Sequence, residues 1–165
     1  MKFIKLILFL LPLFPLAIHP QDGSAKVRMS ATANVKEFIE IITLADINVG
    51  TVIPTNEIMR LDPRTAQGAG ILLIQGRAWS QAQVTFSNQV EMTNVTSNAP
   101  LLVEYFVSGN QENQQSGSLM FISNPQSVTL NGDGEYYLYI GCSFSLAEVQ
   151  PGQYDGDFVI EVDYN

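Results

Sequence analysis

Ser127-Val128-Thr129-Leu130-Asn131-Gly132-Asp133-Gly134-Glu135-Tyr136-Tyr137-Leu138-Tyr139-Ile140-Gly141-Cys142-Ser143-Phe144 is the stretch on which the fold turns. Two runs rich in β-branched and aromatic residues, the side chains that fit a pleated surface, flank a short polar link. Asn-Gly between two such runs is the strongest short-range hairpin signal, since both central residues of that turn need positive φ. The stretch therefore predicts a strand over 127–130, a turn, and a long strand over 135–146.

The same reading extends outward in both directions. Downstream, Pro151-Gly152 marks a turn, and Tyr154, Phe158, Ile160, Val162 and Tyr164 finish the chain, the last four strictly alternating. Upstream, Ala82, Val84 and Phe86 alternate with Gln83, Thr85 and Ser87, and Val90 and Met92 repeat the scheme. A period of two places one set of side chains on one face of a strand. Further strands are predicted over 101–107, weakly over 117–122, over 57–61, and over the short Ile47-Asn48-Val49. The continuous apolar run 71–74 suits a strand covered on both faces. The stretch 108–118, with Gln111-Glu112-Asn113-Gln114-Gln115, reads as an exposed, mobile loop. Nearest the N-terminus, Val27, Met29, Ala31, Ala33 and Val35 occupy every second position, and Ile39 and Ile41 follow. About nine or ten short strands with turn signals every 8–12 residues predict an all-β fold, an immunoglobulin-like antiparallel β-sandwich.

The N-terminus reads as a secretory signal. Lys2 and Lys5 precede an apolar run over 6–18 that is interrupted by Pro12 and Pro15. A spanning helix needs about 20 apolar residues, so a retained anchor is disfavoured and no integral membrane span is expected once the signal is removed. Cleavage is expected after Ala17 or Ala25. This divides the chain into a signal over 1–25 and one β-sandwich domain over 26–165, exported to the periplasm, the cell surface or the medium. A lone Cys142 cannot form an internal disulfide, and its place in an apolar alternation suits a small buried hydrophobe.

Charge and residue types exclude much chemistry. The chain carries −8, and from Ala78 onward it has ten carboxylates and no Lys or Arg. Nucleic acid, which needs a basic stripe, is not an expected partner. His19 is the only histidine and lies in the signal or just after it, which removes Ser-His-Asp and Cys-His catalysis and His-based metal sites. No pair among the sixteen acids stands out as a glycoside-hydrolysing couple, so no catalytic residues are assigned and an enzyme is not expected. No cofactor is expected either. Calcium is a weak alternative on Asn131, Asp133 and Glu135, whose oxygens sit at alternate positions, although a turn already accounts for the glycines between them. Trp79, the single tryptophan, either caps one end of the core or stacks on a sugar or partner. Asn94-Val95-Thr96 matches a glycosylation acceptor, a tripeptide that arises readily by chance.

The order of several segments resembles the bacterial domain-of-unknown-function family 4402. They are Ala31-Thr32-Ala33-Asn34-Val35, Ile47-Asn48-Val49-Gly50, Ile74-Gln75-Gly76, Tyr139-Ile140-Gly141-Cys142-Ser143-Phe144, and the ending from Pro151 to Tyr164. The resemblance spans residues 29–165 and implies a fold but no catalytic residues. Cys142 stands where that family usually has a second glycine, and the Gln/Asn-rich stretch is a further departure. The terminal alternating strand with its penultimate Tyr164 is also similar to that of chaperone–usher pilins, where a chaperone's strand and then a neighbouring subunit's fills an edge groove. That likeness implies a fimbria-like structural or adhesive surface subunit, with self-assembly or a periplasmic chaperone as partner. Val27, Met29, Ala31, Ala33 and Val35 are then a donor face, and Phe158, Ile160, Val162 and Tyr164 form the C-terminal edge strand. The alternative for residues 26–35 is pairing within their own domain. The alternative function is a secreted carbohydrate- or partner-binding module that uses Trp79 and the Gln/Asn-rich loop on a surface glycan.

Overall fold

Alternation in the sequence becomes antiparallel pairing in the computed structural model, which describes residues 38–49, 57–147 and 149–165. The segment 27–35 and the signal lie outside the described residues. Among the described residues there are eleven strands: β1 Glu40–Ala45, β2 Ile58–Leu61, β3 Gly70–Gln75, β4 Gln81–Phe86, β5 Gln89–Asn94, β6 Pro100–Asn110, β7 Leu119–Met120, β8 Gln126–Thr129, β9 Glu135–Ser145, β10 Tyr154–Asp155 and β11 Ile160–Tyr164. The only helical element among the described residues is a 3-10 turn, Gln115–Gly117. The protein is an all-β antiparallel sandwich.

The two sheets are unequal. The larger runs β1-β3-β9-β6-β5-β10, with β2 also on β9 and β7 on β6, while the smaller is β11-β4-β8. Strand β9 is the spine of the large sheet. Its first half pairs with β3 up to Ile140↔Gly70, and its second half pairs with β2 from Cys142↔Leu61. Gly141 sits at the change of partner. A Cβ there would fall 2.2 Å from the Leu61 carbonyl oxygen and 2.6 Å from Pro63 Cδ, so only glycine admits the crossing chain.

Period two explains what is buried. On β4, Ala82 and Val84 are buried while Gln81, Gln83 and Thr85 are exposed. They meet Ile74, Val103, Val107, Leu138 and Ile140 from the large sheet, with Val128, Leu130, Ile160 and Val162 from the small sheet's side. Each aliphatic side chain sealed in this way contributes about 1.5–3 kcal/mol relative to leaving it in water. The run 71–74 has no exposed member, in keeping with cover on both faces.

Two local expectations are corrected and a third is extended. Residues 46–49 are not a strand; the Asn48 N–H donates to the Gly68 carbonyl instead of joining a ladder. The Asn131-Gly132 turn does not close a hairpin, because β8 pairs with β4 in the small sheet and β9 with β3 and β6 in the large one. It carries the chain from one sheet to the other. Accordingly only Gly134 has positive φ, +80°, and the Asn131 side-chain oxygen closes the turn by accepting the N–H groups of Asp133 and Glu135, both at 2.9 Å. Finally, the Gln/Asn-rich stretch is an exposed loop over 111–114, as expected, but its ends are tied down. Residues 108–110 belong to β6, and Gln115 Nε2 donates to the carbonyls of Pro63 (2.9 Å) and Ala66 (2.8 Å). Tyr139, on the opposite face from Leu138 and Ile140, is fully buried and donates to Asn113 Oδ1 at 3.2 Å. The carboxamides thus fold the stretch back over the outer face of β6 and β9.

Candidate functional site

The inequality of the sheets leaves a groove. Along β6 and β9 the inward side chains are sealed around Val107, Leu138 and Ile140, but toward the other end Leu101, Met92 and Phe144 are only partly buried. There the inner face of the large sheet opens into a cavity of about 370 Å³, lined by Met92, Leu101, Val103, Tyr105, Cys142 and Phe144, with the segment around Pro151 as a rim. Cys142 is buried and has no disulfide partner. Burial pushes its thiol pKa up, so it remains a neutral, apolar part of the wall. Tyr105 is likewise pushed up, chiefly by burial and then by Cys142 beside it.

Of the predicted C-terminal edge residues, Phe158 reaches the wall of this groove through Tyr105, and none of the four lines the cavity itself. Phe158 stacks on Tyr105 with ring centroids 4.5 Å apart, and Ile160 and Val162 continue the same face into the core. Strand β11 lies at the edge of the small sheet and has β4 as its one strand neighbour among the described residues. Tyr164 fixes its end: the hydroxyl accepts the Arg77 N–H at 2.7 Å and donates to the Phe38 carbonyl at 3.0 Å. Glu161 and Asp163 project from the opposite, exposed face of β11.

Asn94 closes the far end of β5 near the same rim. It is 1% exposed, so as folded it is not an accessible glycosylation acceptor. Its Oδ1 accepts the Thr96 and Ser97 N–H groups, both at 3.0 Å, while Nδ2 is buried with no hydrogen-bond partner in the protein. A Cβ on Gly152 would lie 2.7 Å from that nitrogen.

A second surface forms where the β3–β4 turn docks on the β8–β9 turn. The Gly76 N–H donates to the Gly134 carbonyl (2.8 Å), the Trp79 N–H to the Asn131 carbonyl (3.1 Å) and the Leu130 N–H to the Ser80 carbonyl (3.0 Å). Trp79 does not cap the core, as one sequence reading expected; it is 70% exposed. Its ring rests on Gly132, where an added Cβ would stand 3.0 Å from Cζ2. Asn131 Nδ2 donates to the Gln111 carbonyl at 2.8 Å, and Gln111 Nε2 donates to the Thr129 carbonyl at 2.9 Å. The exposed tryptophan, the Gln/Asn-rich loop and the Asn131–Glu135 turn are therefore neighbours.

Of the three calcium candidates, Asn131 has its oxygen committed to two backbone N–H groups, and Glu135 Oε2 accepts the Tyr137 hydroxyl at 2.8 Å. Among the described residues no three His, Cys, Asp or Glu side chains gather as a metal site, and no helix is long and apolar enough to cross a membrane. The groove-lining Met92, Leu101 and Phe144 were not singled out by sequence, because alternation reads them as core like any other inward residue. The one signal was that alternation continues past Gly141 through Cys142, Phe144 and Leu146, longer than its covering partners.

Comparison with known proteins adds little to this geometry. No family model and no curated protein matches the chain. Among solved structures, the chain is similar to one in the CsuC–CsuE chaperone–tip adhesion subunit pre-assembly complex from archaic chaperone–usher Csu pili of Acinetobacter baumannii. The identity is 15% and the TM-score 0.36, over 76% of this chain and 40% of that one. The chain thus spans about 40% of the length of that relative. The fold assignment rests on the strand pairing itself.

Proposed function

We propose that the chain is an exported, non-enzymatic structural subunit of a bacterial surface, fimbria-like, that assembles when an added strand runs along β11 and sets alternate side chains into the groove. The observations that support this are a groove of about 370 Å³ on an inner sheet face, whose wall residue Tyr105 packs on Phe158, and the strand β11 that follows Phe158, which has a single described strand neighbour. Strand addition joins main-chain hydrogen bonds to pockets for every second side chain, and a sheet edge left bare is prone to pair. The occupant is the segment 26–35 of a neighbouring copy, with Val27, Met29, Ala31, Ala33 and Val35 inward. A periplasmic chaperone's strand would hold the same place during export. Charge favours the match: with Val27, Met29, Ala31, Ala33 and Val35 inward, alternation would turn Lys26 and Arg28 outward, and Glu161 and Asp163 lie on the exposed face of β11. Opposite charges on facing strands contribute about 0.2–1 kcal/mol per pair.

The test is deletion of residues 26–35 from the mature protein, followed by addition of the same ten residues as a peptide. The expected result is a melting temperature lowered by more than about 5 °C and restored by the peptide, since roughly 1 kcal/mol shifts a domain of this size by several degrees. Exchange of labelled segments between intact copies is expected as well. A deletion variant that stays a stable monomer, with no exchange between copies, would rule the reading out.

A further inference from the structure

We infer that the Trp79 turn is a carbohydrate contact site, taking the flat face of a neutral pyranose on the exposed indole. Position 79 strains a tryptophan backbone and offers its side chain little burial in return. Its φ of 61° lies in the left-handed region, where a bulky side chain is strained. Its ring is also left 70% in water. Asn98, the other non-glycine residue at positive φ among the described residues, is of the type that tolerates it. Glycine or asparagine at 79 would relieve the strain without giving up a core contact. A residue whose backbone is strained and whose ring buries little in return, yet whose N–H is bonded to the Asn131 carbonyl, points to recognition of something outside the fold.

The surroundings select the ligand class. One side of the indole is backed by Gly132, which leaves the remainder of the ring as an open platform. An amphipathic aromatic of this kind receives a partner with an apolar face and polar edges, as a pyranose ring has. Exposed Asp133, beside Gly132, and Gln111, held against this turn through Asn131, supply a carboxylate and a carboxamide oxygen for sugar hydroxyls, while Gln111 Nε2 stays on the Thr129 carbonyl. Gln111 also lines a separate open cleft of about 570 Å³ with Thr129 and Tyr136, so polar and aromatic surface continues past the platform for an oligomer. The carboxylate, on a chain of charge −8, disfavours acidic sugars and favours neutral ones.

Trp79 is the only tryptophan, so its emission reports the platform directly. The experiment titrates the mature protein with tetrasaccharides of glucose, mannose and N-acetylglucosamine, and with tetragalacturonate. A saturable change in emission is expected with at least one neutral oligomer and none with the uronate. Trp79→Asn, followed by calorimetry, is expected to weaken binding at least tenfold while leaving the melting temperature unchanged or higher. A merely structural tryptophan would lower the melting temperature instead, and that result overturns the inference. So does the absence of any neutral-glycan response, binding that survives Trp79→Asn, or binding abolished by chelating calcium. The site does not depend on strand assembly: Trp79→Asn is expected to exchange the 26–35 segment as the parent does, so the two proposals fail separately.

Discussion

The carboxamide of Asn94 closes the turn after β5 with its oxygen and leaves its nitrogen facing Gly152 without a protein acceptor. The two halves of one side chain therefore pull against each other. Two accepted hydrogen bonds stabilise the turn by about 1 kcal/mol each, and a sealed, unmatched N–H group takes back part of that gain. The N–H groups that lose their acceptor in Asn94→Ala belong to exposed residues, so water replaces the bond in part. The expected net loss on Asn94→Ala is about 1–2 kcal/mol, read from the urea midpoint at neutral pH. A loss above about 4 kcal/mol would mean that the side chain holds the rim of the groove and not merely one turn. The tripeptide motif at 94–96 could not reveal this, since it carries no information on burial. Tyr164 is a similar case: alternation placed it on β11, but only the fold shows its hydroxyl joining Arg77 and Phe38 across the chain.

Strand β9 shows what can be read at the scale of an element and what cannot. Its length and aromatic content were legible, as were the alternations of β4 and β11, because each follows from one strand having one buried face. Its partners were not. The Asn-Gly link carries a local preference for turning, and the same preference serves a crossing between sheets as well as a hairpin. The groove was hidden for a related reason, since alternation marks an inward face without saying where the covering sheet stops. The Gln/Asn-rich stretch is exposed over 111–114 as composition suggests, but composition does not show that its carboxamides also donate to backbone carbonyls and tie it down. Gly141 marks the point where β9 exchanges β3 for β2, with the Leu61–Pro63 backbone crossing against its Cα. That contact is to backbone and a proline ring, neither of which can swing aside. Gly141→Ala is therefore expected to cost about 3 kcal/mol or more, or to leave the protein insoluble, whereas Ser143→Ala, on the same strand, should stay within about 1 kcal/mol. Equal urea midpoints for the two variants would show that the crossing is looser than the distances imply.

For the whole molecule the relevant balance is between an acidic surface and protons held in the interior. Burial pushes the phenols of Tyr105, Tyr136 and Tyr139 above the usual value of 10.0 and the thiol of Cys142 above 9.0. Tyr137 is raised chiefly by its hydrogen bond to Glu135 and less by burial. For each of these groups the folded protein keeps its proton to a higher pH than the unfolded chain does. Below about pH 9 both states are protonated and the contribution to stability is intact. As pH rises past the unfolded values, the unfolded chain binds fewer protons than the folded one, so stability falls, and it is lost through the raised folded values. The added negative charge acts in the same direction on a chain already at −8. Urea midpoints measured at intervals from pH 8 to 11.5 are therefore expected to decline above pH 9, steepening beyond pH 10. Tyrosine absorbance should show most of the six phenols ionising later in the folded protein than in urea. Coincident phenol titrations in the two states would show that these rings reach water freely, and would remove the packing of Tyr105 and Tyr139 on which both the groove wall and the tied outer face depend.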